Sequence, residues 1–519
     1  MTLETLPPQS EDSQSGGVLR KLVGLLGDSA TYGLSSVLAQ LVQFLLLPVY
    51  TRYLTPDENG IIAMLLIVFM IFGPLANLGM TNAVFRRFNQ AKDDAACRVV
   101  LGTGLLSVAL GSLAWLGASM AFAHWIAADF VGDSESSNLV RLCLLAAAIN
   151  TVAQVPNVTL RARRRVKVAA GLNLASVVIS ICTTILFVVG LEMGVQGWTF
   201  GMLAAEATFM VLAFACTWRM FDLHFDGEVW RSMLRYGLPF VPHRLQAVAL
   251  AQFSQYMVRE MLGLGEAGIY AIAVKFALPV GVIVNAVQEA WIPFKFQVHA
   301  QEADARPFFR SIFTYYFAAV TYLWVGVSLW GFDVVRLMTA PAYHAAAVLV
   351  PVLALLRVSQ GIYFMMGTGV ELSDRTGVYP LISLAGLATV VAAAFALVEP
   401  FGAIGAAAAG VLCWLVMAAI MYVLAQRRFN IAYDWPTIGC CTFLAIGCVA
   451  AGYAVQPMAL WMRLTIYLAI SIVYPLVIML LLARSPNERE RMRLLLEKGR
   501  FLFRERLFGG LRKDRAAVQ

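Results

Sequence analysis

The sequence predicts an all-α, polytopic membrane protein with about fourteen transmembrane helices, arranged as two pseudo-symmetric six-helix lobes plus two C-terminal helices. The first observation is the composition, because 60% of the 519 residues are hydrophobic and only 13% are charged. The second is that apolar stretches of about 20 residues, long enough to cross a bilayer, recur along the chain. The third is an internal repeat that relates one lobe to the other.

Two of the predicted spans are unusually polar for membrane helices. The fourth contains Asn150, Gln154 and Asn157, and the tenth contains Arg357. An arrangement of twelve spans is the alternative, in which two segments enter the membrane and return to the same side. The predicted spans are residues 29–51, 59–81, 99–122, 139–160, 168–190, 196–217, 236–259, 266–291, 311–332, 345–367, 379–398, 402–424, 437–455 and 462–482.

The spans divide the chain into six parts. These are an N-terminal tail (1–28), an N-lobe (29–217), a linker (218–235), a C-lobe (236–424), two further spans (425–483) and a C-terminal tail (484–519). The first tail is acidic and polar, unlike a signal peptide. The last carries eleven Lys or Arg among apolar residues, which predicts a basic amphipathic helix on an anionic membrane surface. Docking of a partner enzyme is the alternative for this tail.

Basic residues are concentrated in alternate loops. One side of the membrane receives 31 of the 39 Lys and Arg residues, counting both tails, whereas the opposite side keeps four. Because positively charged loops remain in the cytoplasm, this bias predicts that both termini are cytoplasmic. For the second and eighth spans, the alternative to the bounds given above is that they extend further on this basic side. The longest loop of the opposite side, 123–138, leaves no room for a separate domain.

The internal repeat joins the starts of the two lobes. Tyr32-Gly33-Leu34 opens the first span as Tyr236-Gly237-Leu238 opens the seventh, and residues 54–61 match residues 262–269. The offset moves from 204 to 208 residues, and Gln40 is the counterpart of Arg244 at the first of these offsets. Six spans separate the copies, so both cross the membrane in the same direction. Such a parallel repeat predicts two lobes with a substrate between them.

The stretch 236–293 carries most of the unusual chemistry. His243, Arg244, Arg259 and Lys275 lie within or at the ends of its two spans. A charge at bilayer depth is costly, so it faces a cavity or a partner. We therefore expect this helix pair to form the wall of a polar cavity that attracts anions.

Cysteine usage and net charge exclude other classes of protein. Seven of the eight Cys residues lie in or at the ends of spans, and no CxxC or Cys/His ligand spacing occurs. We therefore expect small apolar residues and neither disulfides nor metal sites. The net charge of +8 arises from loops and tails on one side, so it does not indicate nucleic-acid binding.

Short motifs recur at the starts of both repeats. They comprise Tyr236-Gly237-Leu238-Pro239, Pro242, Leu262-Gly263, Gly268-Ile269-Tyr270, Ala290-Trp291-Ile292-Pro293, Tyr50-Thr51-Arg52-Tyr53-Leu54-Thr55-Pro56, Gly60, Gly79 and Phe85. With these motifs the chain resembles the polysaccharide-transporter family, the Wzx-type flippases of lipid-linked oligosaccharides. This family shares a superfamily, the MOP flippases, with the multidrug MATE exporters and the lipid II flippase.

One position departs from the family pattern. Many relatives have an Asp-Arg pair late in the seventh span, where this chain has Ser254-Gln255, so no coupling role is carried over unless Arg259 and Glu260 replace the pair.

The resemblance implies transport rather than catalysis. Such proteins move an undecaprenyl-diphosphate-linked oligosaccharide across the bacterial inner membrane by alternating access of two lobes, for O-antigen, capsule or exopolysaccharide synthesis. The implied partners are this glycolipid, membrane lipids, and the polymerase and chain-length regulator of the same pathway. No cofactor is implied, and protons, sodium ions, the membrane potential or downstream consumption remain possible driving forces.

In that setting the deep cations are candidates for diphosphate binding. Lys275 lies about 14 Å from the opposite end of its span by helical rise, and Arg244 is similarly deep from the basic end. Structural ion pairing is the alternative for both residues. Arg259 and Arg52 are expected to snorkel to the interface, and His243 is a packing residue or a titrating one. The substrate candidates are Lys275, Arg244, Arg357, His243, Arg86, Arg52 and Gln40.

Two acidic residues and several amides complete the candidates. Glu206 in the sixth span and Glu289 in the eighth would bind a coupling ion, or neutralise a nearby Arg. The amides either donate hydrogen bonds to sugar or pack helices together. They belong to Asn77, Asn82, Asn150, Gln154 and Asn173.

Other functions fit the sequence less well. A MATE-like exporter of cations should favour acidic residues, whereas the deep charges comprise four basic and two acidic residues. A membrane polymerase or glycosyltransferase needs a sizeable loop on the opposite side, which this chain lacks. A passive structural protein would leave the deep charges unexplained.

Overall fold

The computed structural model describes residues 40–42, 44–222, 224–302, 304–373 and 376–482, and these residues form helices joined by short turns. In the first lobe we label α1 (Leu47–Tyr53), α2 (Pro56–Asn77), α3 (Met80–Gln90), α4 (Asp94–Ala121), α5 (Ser137–Ala162), α6 (Val166–Thr184) and α7 (Gly194–Thr217). Then follow α8 (Gly227–Gly237), α9 (Phe240–Leu262), α10 (Leu264–Gln301), α11 (Arg306–Met338), α12 (Ala346–Met366), α13 (Tyr379–Gln426), α14 (Trp435–Ala454) and α15 (Leu460–Leu482).

Eleven helices of the described chain are long and apolar enough to cross a membrane. They account for twelve of the predicted spans, because α13 contains both the eleventh and the twelfth. Gly402, with φ 58° and ψ −140°, bends α13 between those two spans. Helix α9 coincides with the seventh predicted span but is not among the eleven. Most of the first predicted span and both predicted tails lie outside the described residues.

Several predicted boundaries change in the structure. The second span ends at Asn77 rather than continuing to the basic side, because Leu78 and Gly79 both adopt positive φ values and break the helix. The eighth span does continue, as α10, to Gln301. The predicted linker 218–235 contains most of α8.

Local sequence explains where α2 begins. The Thr55 side chain accepts a hydrogen bond from the backbone N–H of Glu58, and Glu58 Oε2 accepts one from the backbone N–H of Thr55 at 2.8 Å. Pro56 occupies the first turn, where its missing N–H costs nothing. This capping box fixes the start of α2, the helix with extensive contacts to the second lobe. We call the side of the molecule with the basic loops the basic end, and the side where α2 starts the opposite end.

The internal repeat appears in the structure as a reciprocal contact between α2 and α10. A Cβ atom at Gly60 would stand 2.1 Å from the Leu264 carbonyl oxygen, and one at Gly268 would stand 2.0 Å from the Pro56 carbonyl oxygen. Both pairs of equivalent residues, Pro56 with Leu264 and Gly60 with Gly268, are related by the 208-residue offset of the sequence repeat. A contact repeated in both directions is the signature of a two-fold relation. It agrees with the predicted pairing of two lobes.

The last two helices pack on the outside of the second lobe, against α11. Tyr322 of α11 stacks on Tyr474 of α15, with ring centroids 5.9 Å apart. Arg463 of α15, only 7% exposed, forms an ion pair with Asp333 of α11. These contacts place α14 and α15 beside the second lobe and away from the surfaces that face the first lobe.

Candidate functional site

Three cavities in the described chain are lined by side chains from both lobes. The mouth cavity, of about 810 Å³, lies at the basic end. The inner cavity, of about 420 Å³, shares Thr81, Asn82, Val158, Arg161 and Phe240 with the mouth cavity. The central cavity, of about 240 Å³, lies further along α2 and α9. The three cavities follow one another along the boundary between the lobes.

Arginines dominate the mouth cavity. Arg86 on α3 and Arg161 and Arg164 at the end of α5 line it together with Glu289 of α10. The Arg86 guanidinium carbon lies 4.3 Å from the centre of the Tyr236 ring, which holds the side chain by a cation–π contact. Its neighbour Arg87 instead donates to Ser232 of α8 and lines a different, smaller pocket. Of these two neighbouring arginines, only Arg86 therefore faces the path between the lobes.

The inner cavity combines arginine with amide and hydroxyl groups. Arg244 reaches it from the first turns of α9, and Arg161 reaches it from α5. The remaining polar wall belongs to the first lobe and comprises Asn77, Thr81, Asn82, Asn150, Thr151 and Gln154. The kink of α2 at Leu78 and Gly79 turns α3 away at this point, which brings polar residues of both helices to the same cavity. The two lobes therefore contribute different kinds of side chain to the inner cavity.

The central cavity holds the two deepest cations. Lys275 of α10 and Arg357 of α12 both line it, with Tyr270 and Gln360. Neither cation forms an ion pair with a carboxylate in the described part of the chain. The structural ion pairs that were the alternative for Lys275 are therefore not observed there.

Neutral groups hold these two cations instead. The Lys275 ammonium nitrogen lies 5.0 Å from the centre of the Tyr50 ring, so an aromatic face from the first lobe partly replaces its hydration. Arg357 donates to Gln360 Oε1 at 3.2 Å. Gly281 lies beside the Arg357 side chain, where a Cβ atom would be 3.4 Å from Cδ. Within the described residues both cations are held in place without an anionic partner, which makes the central cavity attractive to an anion.

The two predicted coupling residues have different surroundings. Glu206 of α7 is half-buried and accepts a hydrogen bond of 2.7 Å from Asn150 Nδ2. Glu289 is exposed at the mouth cavity. Neither forms an ion pair within the described residues. A counter-ion role, the alternative for both acids, therefore finds no partner there.

Three predicted substrate candidates do not line any of the three cavities. His243 is exposed and lines none of them although it adjoins Arg244, because successive helix residues point about 100° apart. Arg52 is exposed at the end of α1, as expected for a residue at the membrane interface. Gln40 is half-buried at the start of the described chain. The structure thus brings together Lys275, Arg357, Arg244 and Arg86, and leaves these three aside.

Arg259 does not snorkel as expected. Its Nε donates to the Val131 carbonyl at 3.0 Å, and its guanidinium pairs with Glu260 at 2.5 Å. Val131 belongs to the first lobe, so Arg259 joins the lobes at the opposite end. The helical loop 126–131, which presents this carbonyl, could not be recognised from its composition.

Sequence reasoning also missed a buried ion pair at the basic end. Lys295, 1% exposed, pairs with Glu371, whose Oε1 accepts a hydrogen bond of 2.6 Å from the Tyr379 hydroxyl. Because the eighth predicted span ends at residue 291, Lys295 is among the basic residues counted in the loops. Arg161 and Arg164 are counted there too, because the fourth predicted span ends at residue 160. The dense run of arginines in the sequence shows that this segment is positively charged, but it does not show which way each side chain points.

The charge of the cavity linings is strongly one-sided. The three cavities together are lined by six basic residues and one acidic residue, Glu289. The basic residues are Arg86, Arg161, Arg164, Arg244, Lys275 and Arg357.

Comparison with solved structures identifies the fold. The chain is similar to the lipid II flippase MurJ in an inward closed conformation, with a TM-score of 0.69 and 11% identity over 86% of this chain and 98% of that chain. An inward-facing MATE multidrug transporter of the MOP superfamily gives a TM-score of 0.61 and 15% identity, over 75% and 94% of the two chains. A MOP superfamily transporter from Pyrococcus furiosus gives 0.54 and 15%, over 78% and 95%. These matches confirm the predicted fold class.

Comparison by sequence identifies the family. No curated protein matches this chain. A family model described as polysaccharide biosynthesis protein matches residues 25–299, which is 275 of the 519 residues. The match includes both halves of the internal repeat and the motifs that carry the resemblance. The chain therefore belongs to the polysaccharide biosynthesis protein family, as a multi-pass membrane transporter with the fold of the MOP superfamily.

Proposed function

We propose that this protein flips an undecaprenyl-diphosphate-linked oligosaccharide from the cytoplasmic to the outer leaflet of the bacterial inner membrane by alternating access. The pathways it would serve are O-antigen, capsule or exopolysaccharide assembly. The observation that carries this proposal is the one-sided cavity lining, with six basic residues and one acidic residue. A diphosphate is a multivalent anion, and it crosses hydrocarbon only where cations and hydrogen-bond donors replace its water.

The order of the cations defines a path from the basic end inward. Arg86, Arg161 and Arg164 meet the head group at the mouth cavity, and Arg244 receives it in the inner cavity. On α2 the inner cavity begins at Gly73 and the central cavity ends at Met70, about 4.5 Å away by helical rise. Lys275 and Arg357 are next on this path. The polyprenyl tail remains in the lipid beside the protein.

The conformation fits the loading step of such a cycle. At the opposite end the lobes meet at Gly60 and Gly268, whereas at the basic end Arg86 and Glu289 are exposed and line a cavity of about 810 Å³. If the basic end is cytoplasmic, as the loop charges predict, the site is accessible from the leaflet in which the substrate is made. A proton or sodium ion bound by Glu206 or Glu289 would drive the return of the empty protein. The polymerase and chain-length regulator would act on the flipped product.

Cation export is a second candidate function. The fold resemblance to MATE transporters and the half-buried Glu206, which has no basic partner among the described residues, favour it. The charge of the cavities favours the first candidate, because a cationic drug would meet six like charges along the same path.

A leaflet assay tests the proposal. The purified protein is reconstituted in vesicles that contain a fluorescent undecaprenyl-diphosphate oligosaccharide, and the fraction of probe that moves between leaflets is followed over time. Lys275→Ala and Arg244→Ala should each slow this movement at least about tenfold, because each removes a charge-assisted contact to the diphosphate. Arg141→Ala is the control, since Arg141 is an exposed cation of the opposite end that bonds only to Asn138 in the described chain.

Three outcomes separate the alternatives. If the intact protein moves the glycolipid and both variants are slow, the flippase and its cationic path are supported. If the variants are as fast as Arg141→Ala, the protein is a flippase but the assigned path is wrong. If the intact protein moves ethidium and leaves the glycolipid in place, cation export replaces the proposal.

A further inference from the structure

We infer that the N-lobe wall of the inner cavity is a sugar-binding subsite that selects sugars bearing an acetamido or carboxylate group, and that Glu206 orients its amides. This inference rests on the proposed function. It divides the inner cavity into two walls, with Arg161 and Arg244 for the diphosphate and neutral amides for the first sugar of the glycan.

A ladder of hydrogen bonds runs along α5 toward α7. Asn150 Nδ2 donates to Glu206 Oε2 at 2.7 Å, Gln154 Nε2 donates to Asn150 Oδ1 at 3.5 Å, and Asn157 Nδ2 donates to Gln154 Oε1 at 3.4 Å. We call Glu206, Asn150, Gln154 and Asn157 the amide ladder. Glu206 Oε2 is the acceptor at the end of this chain of bonds, so Asn150 turns its NH₂ group toward it. With its NH₂ group engaged, Asn150 presents its carbonyl oxygen to Gln154, and Gln154 in turn presents its carbonyl oxygen to Asn157.

At the inner cavity the ladder offers a ligand two hydrogen-bond donors, one on Asn150 and one on Gln154. Each amide has two N–H groups, and the ladder uses one of them on Asn150 and one on Gln154. The second N–H of each finds no acceptor among the described residues, while both side chains line the inner cavity. Half-buried donors of this kind bind water or the acceptor atoms of a ligand.

The facing part of the cavity repeats this arrangement on α2 and α3. Asn77 Oδ1 accepts from the Thr81 backbone N–H at 3.1 Å and lies 3.2 Å from Thr81 Oγ1, which donates to it. Its carbonyl oxygen is therefore occupied, and its NH₂ group has no protein acceptor in the described chain. Asn77 and Thr81 both line the inner cavity. A ligand placed between α3 and α5 is met from two sides by N–H groups whose carbonyl partners are already engaged.

This donor-rich lining determines the class of sugar. A sugar hydroxyl can accept from one of these N–H groups, but its oxygen is a weaker acceptor than an amide carbonyl or a carboxylate oxygen. An acetamido carbonyl or a uronic carboxylate offers an oxygen that only accepts, and it satisfies several of these N–H groups at once. The apolar ring of Phe240, in the same cavity, gives such a sugar a face to lie against.

A half-buried amide outside the inner cavity provides a control for the subsite. Asn173 of α6 is also a half-buried amide, but it lines none of the three cavities. Asn173→Leu is therefore the matched control for Gln154→Leu, because both changes replace a half-buried membrane amide with an apolar side chain.

Binding of three short-chain probes tests the inference. They are a farnesyl diphosphate, the same lipid carrying N-acetylglucosamine, and the same lipid carrying glucose. For the intact protein in nanodiscs we expect the acetamido probe to bind about tenfold more tightly than the glucose probe, the difference expected for a lost hydrogen-bond partner. Gln154→Leu should abolish that ratio and leave farnesyl diphosphate binding unchanged. Arg244→Ala should weaken all three probes, and Asn173→Leu should weaken none.

Failure of the subsite and failure of the proposed function look different. If Arg244→Ala weakens every probe but the acetamido preference is absent, or survives Gln154→Leu, the sugar subsite is overturned and the flippase stands. If the intact protein binds none of the three probes, the proposed function falls and the subsite with it. The size-exclusion profile and unfolding temperature of each variant show whether the fold is intact.

Glu206 has a test of its own. Glu206→Gln keeps an oxygen that can accept from Asn150, so the acetamido preference should remain within about twofold of that of the intact protein. Glu206→Leu removes the acceptor, and the preference should disappear. If Glu206→Gln is as damaging as Glu206→Leu, Glu206 acts through its charge, and its positioning role is overturned.

Discussion

The two ends of the molecule are held together in different ways. At the opposite end several of the described hydrogen bonds cross between lobes: Tyr343 donates to the Leu54 carbonyl, Asn59 donates to Tyr343, and Arg259 donates to the Val131 carbonyl. At the basic end the ion pairs stay within one lobe or between a lobe and its neighbouring helix. Examples there are Arg163 with Asp94 and Lys295 with Glu371.

This difference separates the bonds that determine which conformation the protein adopts from the bonds that determine only the stability of its fold. Bonds that cross between lobes must break when the opposite end opens, so they determine how much of the protein is closed there. Bonds within a lobe persist through rigid-body motion and contribute equally to both conformations. The cavities open at the end where cross-lobe bonds are sparse, and the following predictions test that reading.

The largest effect is expected from locking the opposite end. Thr51 Oγ1 accepts from the Ala340 backbone N–H at 3.4 Å, so these two positions adjoin each other across the lobes and are the choice for a cysteine pair. With the eight native Cys residues replaced, oxidation of Thr51→Cys with Ala340→Cys should stop transport, and reduction should restore it. Thr51→Cys alone is the control. Full transport by the cross-linked protein would mean that this end need not open.

A large effect is also expected from Gly268→Leu. Its Cβ would stand 2.0 Å from the Pro56 carbonyl oxygen, a backbone atom that cannot move aside alone, so α2 and α10 must separate at the opposite end. Overpacking of this kind costs about 1–3 kcal/mol. Transport should fall about tenfold or more, and a cysteine placed at Leu54 should become accessible to a water-soluble thiol reagent. Gly117→Leu is the control, because nothing lies within 4 Å of that position.

Breaking the Lys295–Glu371 ion pair at the basic end should lower the stability of the fold without changing the equilibrium between the open and closed conformations. Lys295→Met leaves Glu371 without its cation, which we expect to cost about 3–5 kcal/mol and to lower the unfolding temperature in detergent. Thiol accessibility at the opposite end should stay as in the intact protein. The double variant Lys295→Met with Glu371→Gln should recover part of the loss. A change in opposite-end accessibility would contradict the division between the two kinds of bond.

The smallest effect is expected from Tyr343→Phe. The Tyr343 hydroxyl, fully buried, donates to the Leu54 carbonyl at 2.8 Å and accepts from Asn59. Loss of these bonds should weaken closure by about 1–2 kcal/mol, which is roughly a 5- to 30-fold change in the open population. The thiol-labelling rate at the opposite end measures this change, and the unfolding temperature should move much less than in Lys295→Met. An unchanged labelling rate would remove Tyr343 from the set of closing contacts.

The two lobes differ as clearly as the two ends. In the inner cavity the N-lobe contributes six amide and hydroxyl side chains together with Arg161, whereas the one polar side chain that the described C-lobe contributes there is Arg244. A repeat therefore preserved the helix crossings at Gly60 and Gly268 while the side chains between them diverged. The sequence comparison of Gln40 with Arg244 already indicated this divergence at one position.

The sequence could predict those features that depend on each residue separately. Hydropathy identified the spans because each residue meets the same hydrocarbon whatever its neighbours are, and α13 and α10 contain the spans predicted for them. The depth of Lys275 and Arg357 followed from the same counting, and both line the central cavity. Features that depend on direction or on a distant partner were not accessible in this way. The exposure of His243, the ion pair of Lys295 and the bond from Arg259 to Val131 are of this kind.

By itself the sequence determined that this chain lies in a membrane, that it repeats, and that its spans carry an excess of positive charge. These properties depend only on the identity and order of the residues, so they are the same however the helices pack. Only the tertiary structure decided which charges share a cavity, because a helix turns each successive side chain by about 100°. It also decided that the lobes close at the opposite end, because Gly60 and Gly268 permit an approach that any side chain would prevent. The proposed function depends on the sequence and on the tertiary structure. The composition supplies the positive charge, and the packing of the helices places that charge along one path between the lobes.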